Sequence, residues 1–144
     1  MIRLIYFVIF IAVTGAVQAQ QGLAKTYLEI SPNDEADLTL LFDTLEQSLI
    51  DNLTIDDPVV VVLHGKEAFA FTRARYSEKK TLIDRAAMLD GYELLQVKMC
   101  ATWMQANDIQ RTDIPPFVEI IPYAPEEVKL LEDEGYVPFD RVEL

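Results

Sequence analysis

The sequence contains a single cysteine, Cys100, and a single histidine, His64. One cysteine excludes an intramolecular disulfide and a CxxC redox pair within one chain. A dedicated zinc site would need carboxylates or a second subunit to complete its ligands. The sequence also lacks a glycine-rich phosphate-binding loop and the GxSxG motif. We therefore expect neither a bound cofactor nor a resident metal ion.

Positive charge is also scarce. The chain has 12 Lys and Arg against 24 Asp and Glu, which gives a formal net charge of −12. An acidic surface repels phosphate backbones and anionic headgroups. This charge balance argues against nucleic acid and against anionic membrane surfaces as partners.

The first 19 residues have the pattern of an export signal. A short, weakly basic start is followed by the apolar stretch LIYFVIFIAVTGAV, and the small residues Val17 and Ala19 occupy the positions that a signal peptidase reads. A full membrane span needs about 20 apolar residues, so this stretch is short for one. We predict cleavage after Ala19, with an uncleaved membrane anchor as the alternative. Cleavage would release residues 20–144 into the periplasm or medium without stable membrane insertion.

The remaining sequence alternates between strand and helix patterns. VVVVLH at 59–64 is typical of a strand buried on both faces. Alternating strands and helices indicate βαβ units. We predict an α/β domain over residues 20–144, a three-layer, doubly wound fold with a mostly parallel five-stranded sheet. The predicted strands are 24–30, 59–64, 92–99, 117–121 and 136–139, and the predicted helices are 34–51, 77–90, 100–107 and 125–134.

Cys100 and His64 each fall where a predicted strand ends. The carboxyl ends of parallel strands share one edge of the sheet, where ligands bind. If the two strands are neighbours, the two side chains meet there. Cys100 also falls at the start of a helix, which favours a thiolate. The alternatives are a small apolar residue filling the strand–helix corner and a histidine that only begins a turn.

A local basic cluster stands out in this acidic chain. Five basic residues fall between positions 66 and 80, namely Lys66, Arg73, Arg75, Lys79 and Lys80. The cluster begins at the sheet edge predicted for Cys100, so it could stabilise a thiolate or hold an anion. We select Arg73 and Arg75 as candidate anion-binding residues. The alternative is a solvated loop and helix face.

Three segments together resemble the DsrE/DsrF-like family: VVVVLHG, VKMCATWM and IPPFVEIIPYAPEEVKLLEDEGYVPF. The resemblance extends from about Lys25 to Phe139. It implies a flavodoxin-like fold, homo-oligomers such as trimers or hexamers, and a Cys100 that carries sulfur as a persulfide in relay reactions. Two features depart from the family: Ala101 replaces the glycine that follows the cysteine in many exported relatives, and the known relay partners are cytoplasmic.

From these observations we expect an exported sulfur carrier that uses Cys100, with His64 as a candidate catalytic partner and with protein donors and acceptors of sulfur. A stoichiometric carrier fits better than a turnover enzyme. The first alternative is a non-catalytic oligomeric binding module in which Cys100 is buried and structural. A third hypothesis is a redox-responsive protein that forms an intermolecular disulfide through Cys100.

Overall fold

A computed structural model describes residues 25–29, 35–51 and 55–139. The predicted signal segment 1–19 lies outside the described residues. The same holds for residues 24 and 30, at the ends of the first predicted strand, and for residue 34, at the start of the first predicted helix.

The described chain contains the five strands and four α-helices that the sequence predicts. Three short 3₁₀ segments lie between them, at Lys66–Phe71, Arg73–Arg75 and Arg111–Asp113. The strands are β1 (Thr26–Glu29), β2 (Val59–Leu63), β3 (Leu95–Cys100), β4 (Glu119–Ile121) and β5 (Val137–Pro138). The helices are α1 (Glu35–Ile50), α2 (Tyr76–Gly91), α3 (Ala101–Ala106) and α4 (Ala124–Asp133).

The strands form one sheet in the order β4-β3-β2-β1-β5, and every neighbouring pair is parallel. Helices cover both faces, so the predicted α/β, flavodoxin-like fold is confirmed. The sheet is fully parallel, where the sequence had indicated a mostly parallel one. Pro138 lies on the edge strand β5, where its missing N–H costs no ladder bond.

Two turns explain where elements begin and end. β3 begins at Leu95 rather than at the predicted residue 92, because Glu93 adopts a left-handed conformation (φ 60°) and the N–H of Leu94 donates to the carbonyl of Leu89. After α4, Gly135 has φ +89°, and Tyr136 N–H donates to Leu131 O at 2.9 Å. This is the Schellman arrangement that glycine favours at helix ends.

The sheet separates two hydrophobic clusters. On one face, Val59, Val61 and Leu63 of β2 pack with buried residues of α1 and α2. On the other face, Val60 and Val62 pack with a smaller group from β1, β3, β4 and α4. Side chains alternate between the faces along each strand. This alternation decides on which side each candidate residue lies.

Candidate functional site

The structure brings His64 and Cys100 to neighbouring strand ends. β2 pairs with β3 in register up to Leu63 opposite Met99; His64 directly follows β2, and Cys100 is the last residue of β3. Neighbouring strands are about 4.8 Å apart. Alternation assigns both residues to the α4 face, and Cys100 belongs to the hydrophobic cluster of that face. The predicted meeting of the two strand ends at one carboxyl edge is therefore present in the backbone.

His64 has an acidic neighbour that the sequence did not reveal. Its Nε2 lies 3.0 Å from Oε1 of Glu29, at the end of β1. The distance is that of an ion pair when the imidazole is protonated, although the angles do not make a hydrogen bond. Nε2 itself is buried, but both side chains keep about a third of their surface exposed, so solvent partly screens the attraction. Glu29 thus supplies a polar partner on the far side of His64 from β3.

A buried carboxylate holds the backbone directly after β2. Glu67 is 3% exposed, and its Oε1 accepts hydrogen bonds from the N–H groups of His64 (3.0 Å) and Gly65 (2.7 Å). Its Oε2 is buried without a hydrogen-bond partner among the described residues. A Cβ at position 65 would lie 2.4 Å from that Oε2, so glycine leaves room for the carboxylate. Sequence reasoning missed Glu67, and its closeness to His-Gly was the only available signal.

Cys100 is buried. The residue is 3% exposed and packs within the smaller cluster, which includes Ile121 and Ala124. Trp103, partly buried, packs against both clusters of the core. Cys100 is the last residue of β3 and directly precedes α3, so the predicted helix start at 100 is one residue early. α3 has only six residues. The observed burial is the feature expected for a cysteine that fills the strand–helix corner.

The face of Cys100 also carries a mostly buried ion pair. Lys98 lies two residues earlier on β3, and therefore on the same face. Its Nζ contacts Oε1 of Glu127 in α4 and lies 3.9 Å from Oε2 of Glu119 in β4. The side chains of Lys98 and Glu127 are only 13% and 15% exposed. Carboxylates thus neutralise the positive charge closest to Cys100 along the strand.

The two candidate arginines lie in different clefts, and Cys100 lines neither of them. Arg73 lines a cleft of about 520 Å³ between the start of α2 and residues 112–116. Arg75 lines a smaller cleft and pairs with Glu78 at 2.9 Å. The hydrogen bond and the positive charge of Arg75 lower the pKa of Glu78. The structure therefore does not gather Arg73 and Arg75 into one anion site beside the thiol.

The described residues include no group of three or more His, Cys, Asp or Glu arranged to hold a metal ion. Within the same residues, no helix combines the length and apolar character needed to cross a bilayer.

Comparisons with known proteins identify the fold. No family model matches the sequence, and no curated protein matches it. Among solved structures, the chain is similar to MTH1491 from Methanobacterium thermoautotrophicum, described as a protein of unknown function. The TM-score is 0.59 at 17% sequence identity, covering 78% of this chain and 96% of that chain. At this identity the likeness shows a shared fold.

Proposed function

We propose that the protein carries sulfur as a persulfide on Cys100 and relays it between partner proteins. The observation that supports the proposal is the placement of Cys100 and His64 at neighbouring strand ends on one face, with Glu29 3.0 Å from His64. A thiol, an imidazole and a carboxylate are the groups that thiol chemistry uses. The resemblance to DsrE/DsrF-like proteins points in the same direction.

The proposed transfer needs no net oxidation. The Cys100 thiolate attacks the outer sulfur of a donor persulfide. A bond forms between Sγ and that sulfur, the S–S bond of the donor breaks, and the donor leaves as a thiolate. His64 accepts the proton that Cys100 loses. An acceptor thiolate then removes the outer sulfur in the same way and restores Cys100.

Burial of the thiol imposes a condition on this proposal. Because Cys100 is 3% exposed, a donor can reach Sγ only when the surrounding contacts open. Trp103 of α3 is partly buried against the cluster that contains Cys100, so we propose that movement of α3 gives a donor access to the thiol. Loading should therefore be slower than for an exposed thiol of the same chemistry.

Persulfide loading can be measured by intact mass. The purified protein is incubated with glutathione persulfide, and we expect native protein to gain the mass of one sulfur atom. Cys100→Ser should keep the fold and gain none, and His64→Gln should load more slowly. Loading that survives Cys100→Ser would refute the proposal. So would a native protein that never loads under conditions in which the unfolded chain does.

The second candidate function is a non-catalytic binding module, and the burial of Cys100 favours it. A structural cysteine should react with an alkylating reagent at the rate of global unfolding. A thiol uncovered by local opening should react faster than that. Comparing the alkylation rate with the unfolding rate in the same buffer therefore separates the two functions.

Export and self-association complete the proposal. We propose that the protein works in the periplasm or outside the cell as a trimer or hexamer. Ile120, Tyr123 and Leu130 expose 36%, 51% and 52% of their surface in the single chain, and a subunit contact could cover such side chains. Light scattering on the purified protein measures the number of subunits, and N-terminal sequencing after expression tests cleavage after Ala19. A monomer, or an intact N-terminus, would contradict the corresponding part.

A further inference from the structure

The cleft beside Arg73 lies apart from Cys100. Its deeper lining residues, Phe71, Ile83 and Ile114, belong to the large cluster under α1 and α2, whereas Cys100 belongs to the cluster under α4. The volume of about 520 Å³ falls in the range of small-molecule sites. The cleft can therefore serve a function separate from thiol chemistry.

The floor of the cleft is apolar. Phe71, Ile83 and Ile114 are 0%, 4% and 7% exposed in the protein as a whole, so they form a packed base. Pro115 and Pro116 continue the apolar surface to the rim. Such a floor binds hydrocarbon groups and gains little from fully hydrated inorganic ions.

Arg73 is the cationic group of this cleft. The guanidinium groups of Arg75, Arg85 and Arg111 each have hydrogen-bond partners, whereas that of Arg73 has neither a hydrogen bond nor an ion pair within the described residues. A guanidinium presents paired N–H donors that match a carboxylate. Tyr76 and Ser77, which also line the cleft, begin α2; the N-cap residue Arg75 makes no side-chain cap there, and the Tyr76 N–H donates to the Arg73 carbonyl.

The opposite wall is held in place before any ligand binds. The Arg111 guanidinium donates to the carbonyls of Pro115 (3.0 Å) and Pro116 (2.9 Å), and it reaches that of Ile114 at 3.5 Å. Asp113 accepts from the N–H of Gln110 at 2.9 Å. A preformed wall lowers the ordering cost of binding.

Asp113 limits the charge of the ligand. Asp113 also lines the cleft and makes no ion pair with Arg73 within the described chain. A cleft with one cation, Arg73, and one separate anion, Asp113, disfavours phosphate or a dicarboxylate, because Asp113 would repel the second negative charge of such a ligand. We infer that this cleft binds a small organic monocarboxylate, with Arg73 holding the carboxylate and the Phe71–Ile83–Ile114 floor holding its apolar group.

The inference is tested with benzoate and benzamide, which share a ring and differ in charge. Dissociation constants for both are measured by ¹H–¹⁵N NMR titration of the purified protein. We expect benzoate to bind about tenfold more tightly than benzamide, because a charge-assisted pair replaces neutral hydrogen bonds. The shifted amides should belong to residues 71–77 and 112–114. Inorganic phosphate should not displace benzoate.

Matched variants assign the effect to one arginine. Arg73→Gln should remove the preference for benzoate, and Arg75→Gln, in the neighbouring cleft, should keep it. Equal binding of benzoate and benzamide, no binding of either, displacement by phosphate, or retained preference in Arg73→Gln would each overturn the inference. Cys100→Ser should leave benzoate binding unchanged, so failure here and failure of sulfur loading remain separate results.

Discussion

The two faces of the sheet are covered differently. In the part of the chain that the structure describes, the face under α1 and α2 has 22 buried residues in one hydrophobic cluster, and the face under α4 has seven. The α4 face also carries the Lys98–Glu127 pair and, by alternation, His64 and Glu29. The α1/α2 face is therefore mainly apolar, with the pairs of Arg85 to Asp43 and Glu46 between its two helices, whereas charge makes up a larger share of the thinner α4 face.

The two faces therefore contribute differently to the free energy of folding and to the proposed thiol chemistry. Buried apolar area contributes most of the free energy of folding, so the α1/α2 face should dominate stability. Polar groups that a fold does not need for its core are free to act on ligands. At the carboxyl edge of the α4 face these groups are the imidazole of His64 and the carboxylate of Glu29, on the same face as the buried Cys100.

The largest expected effect compares one leucine on each face. Leu89 of α2 is 0% exposed in the large cluster, and Leu131 of α4 is 4% exposed in the small one. We expect Leu89→Ala to lower the free energy of unfolding by about 4 kcal/mol and Leu131→Ala by about 2 kcal/mol, because a thinner layer relaxes more around a cavity. Urea unfolding measures both. Equal losses, or a larger loss at Leu131, would contradict the expectation that the α1/α2 face dominates stability.

The next effect concerns the charge on the α4 face. Lys98→Met leaves the mostly buried Glu127 carboxylate without its lysine, and we expect a loss of about 2–3 kcal/mol. Adding Glu127→Leu should restore most of that loss, because it removes the stranded charge. Lys129 is an exposed lysine of α4, and Lys129→Met should change the free energy of unfolding by no more than about 0.5 kcal/mol. A double variant no more stable than Lys98→Met alone would show that the pair does not act as a unit.

Periodicity and turn chemistry were sufficient to predict the fold. Val59–Leu63 is a fully buried central strand, Pro138 lies at an edge, and Gly135 takes the left-handed conformation just after α4. These signals are local, since each depends on neighbours within a few residues. The start of β3 was misplaced because Tyr92 and Leu94 look like strand residues, while the chain there still turns out of α2.

The sequence predicted only the part of the site that follows from the order of the strands. The strand order places the carboxyl ends of β2 and β3, at His64 and Cys100, next to each other. It does not determine which charges approach them, and Glu29 and Glu67 were missed for that reason. Arg73 and Arg75 are two residues apart in one 3₁₀ segment, yet they line different clefts, which their spacing in the sequence did not indicate. Burial of Cys100 depends on packing of α3 and α4, which no local pattern encodes.

The smallest expected effect tests the backbone at the edge of the site. Gly65→Ala would place a Cβ 2.4 Å from the buried Oε2 of Glu67, so we expect a loss of about 1–2 kcal/mol. Gly91, the last residue of α2, has open space around its Cβ position, and Gly91→Ala should change stability by less than about 1 kcal/mol, on the stabilising side.

Thermal unfolding of the two alanine variants measures this difference. If Gly65→Ala is as stable as Gly91→Ala, the Glu67 carboxylate can move away without cost, and it does not fix the His64 backbone. If Gly65→Ala is destabilised and also loads sulfur on Cys100 more slowly, the hydrogen bonds from His64 and Gly65 to Glu67 position the edge at which the proposed transfer occurs. Destabilisation with unchanged loading would assign Glu67 to the fold alone.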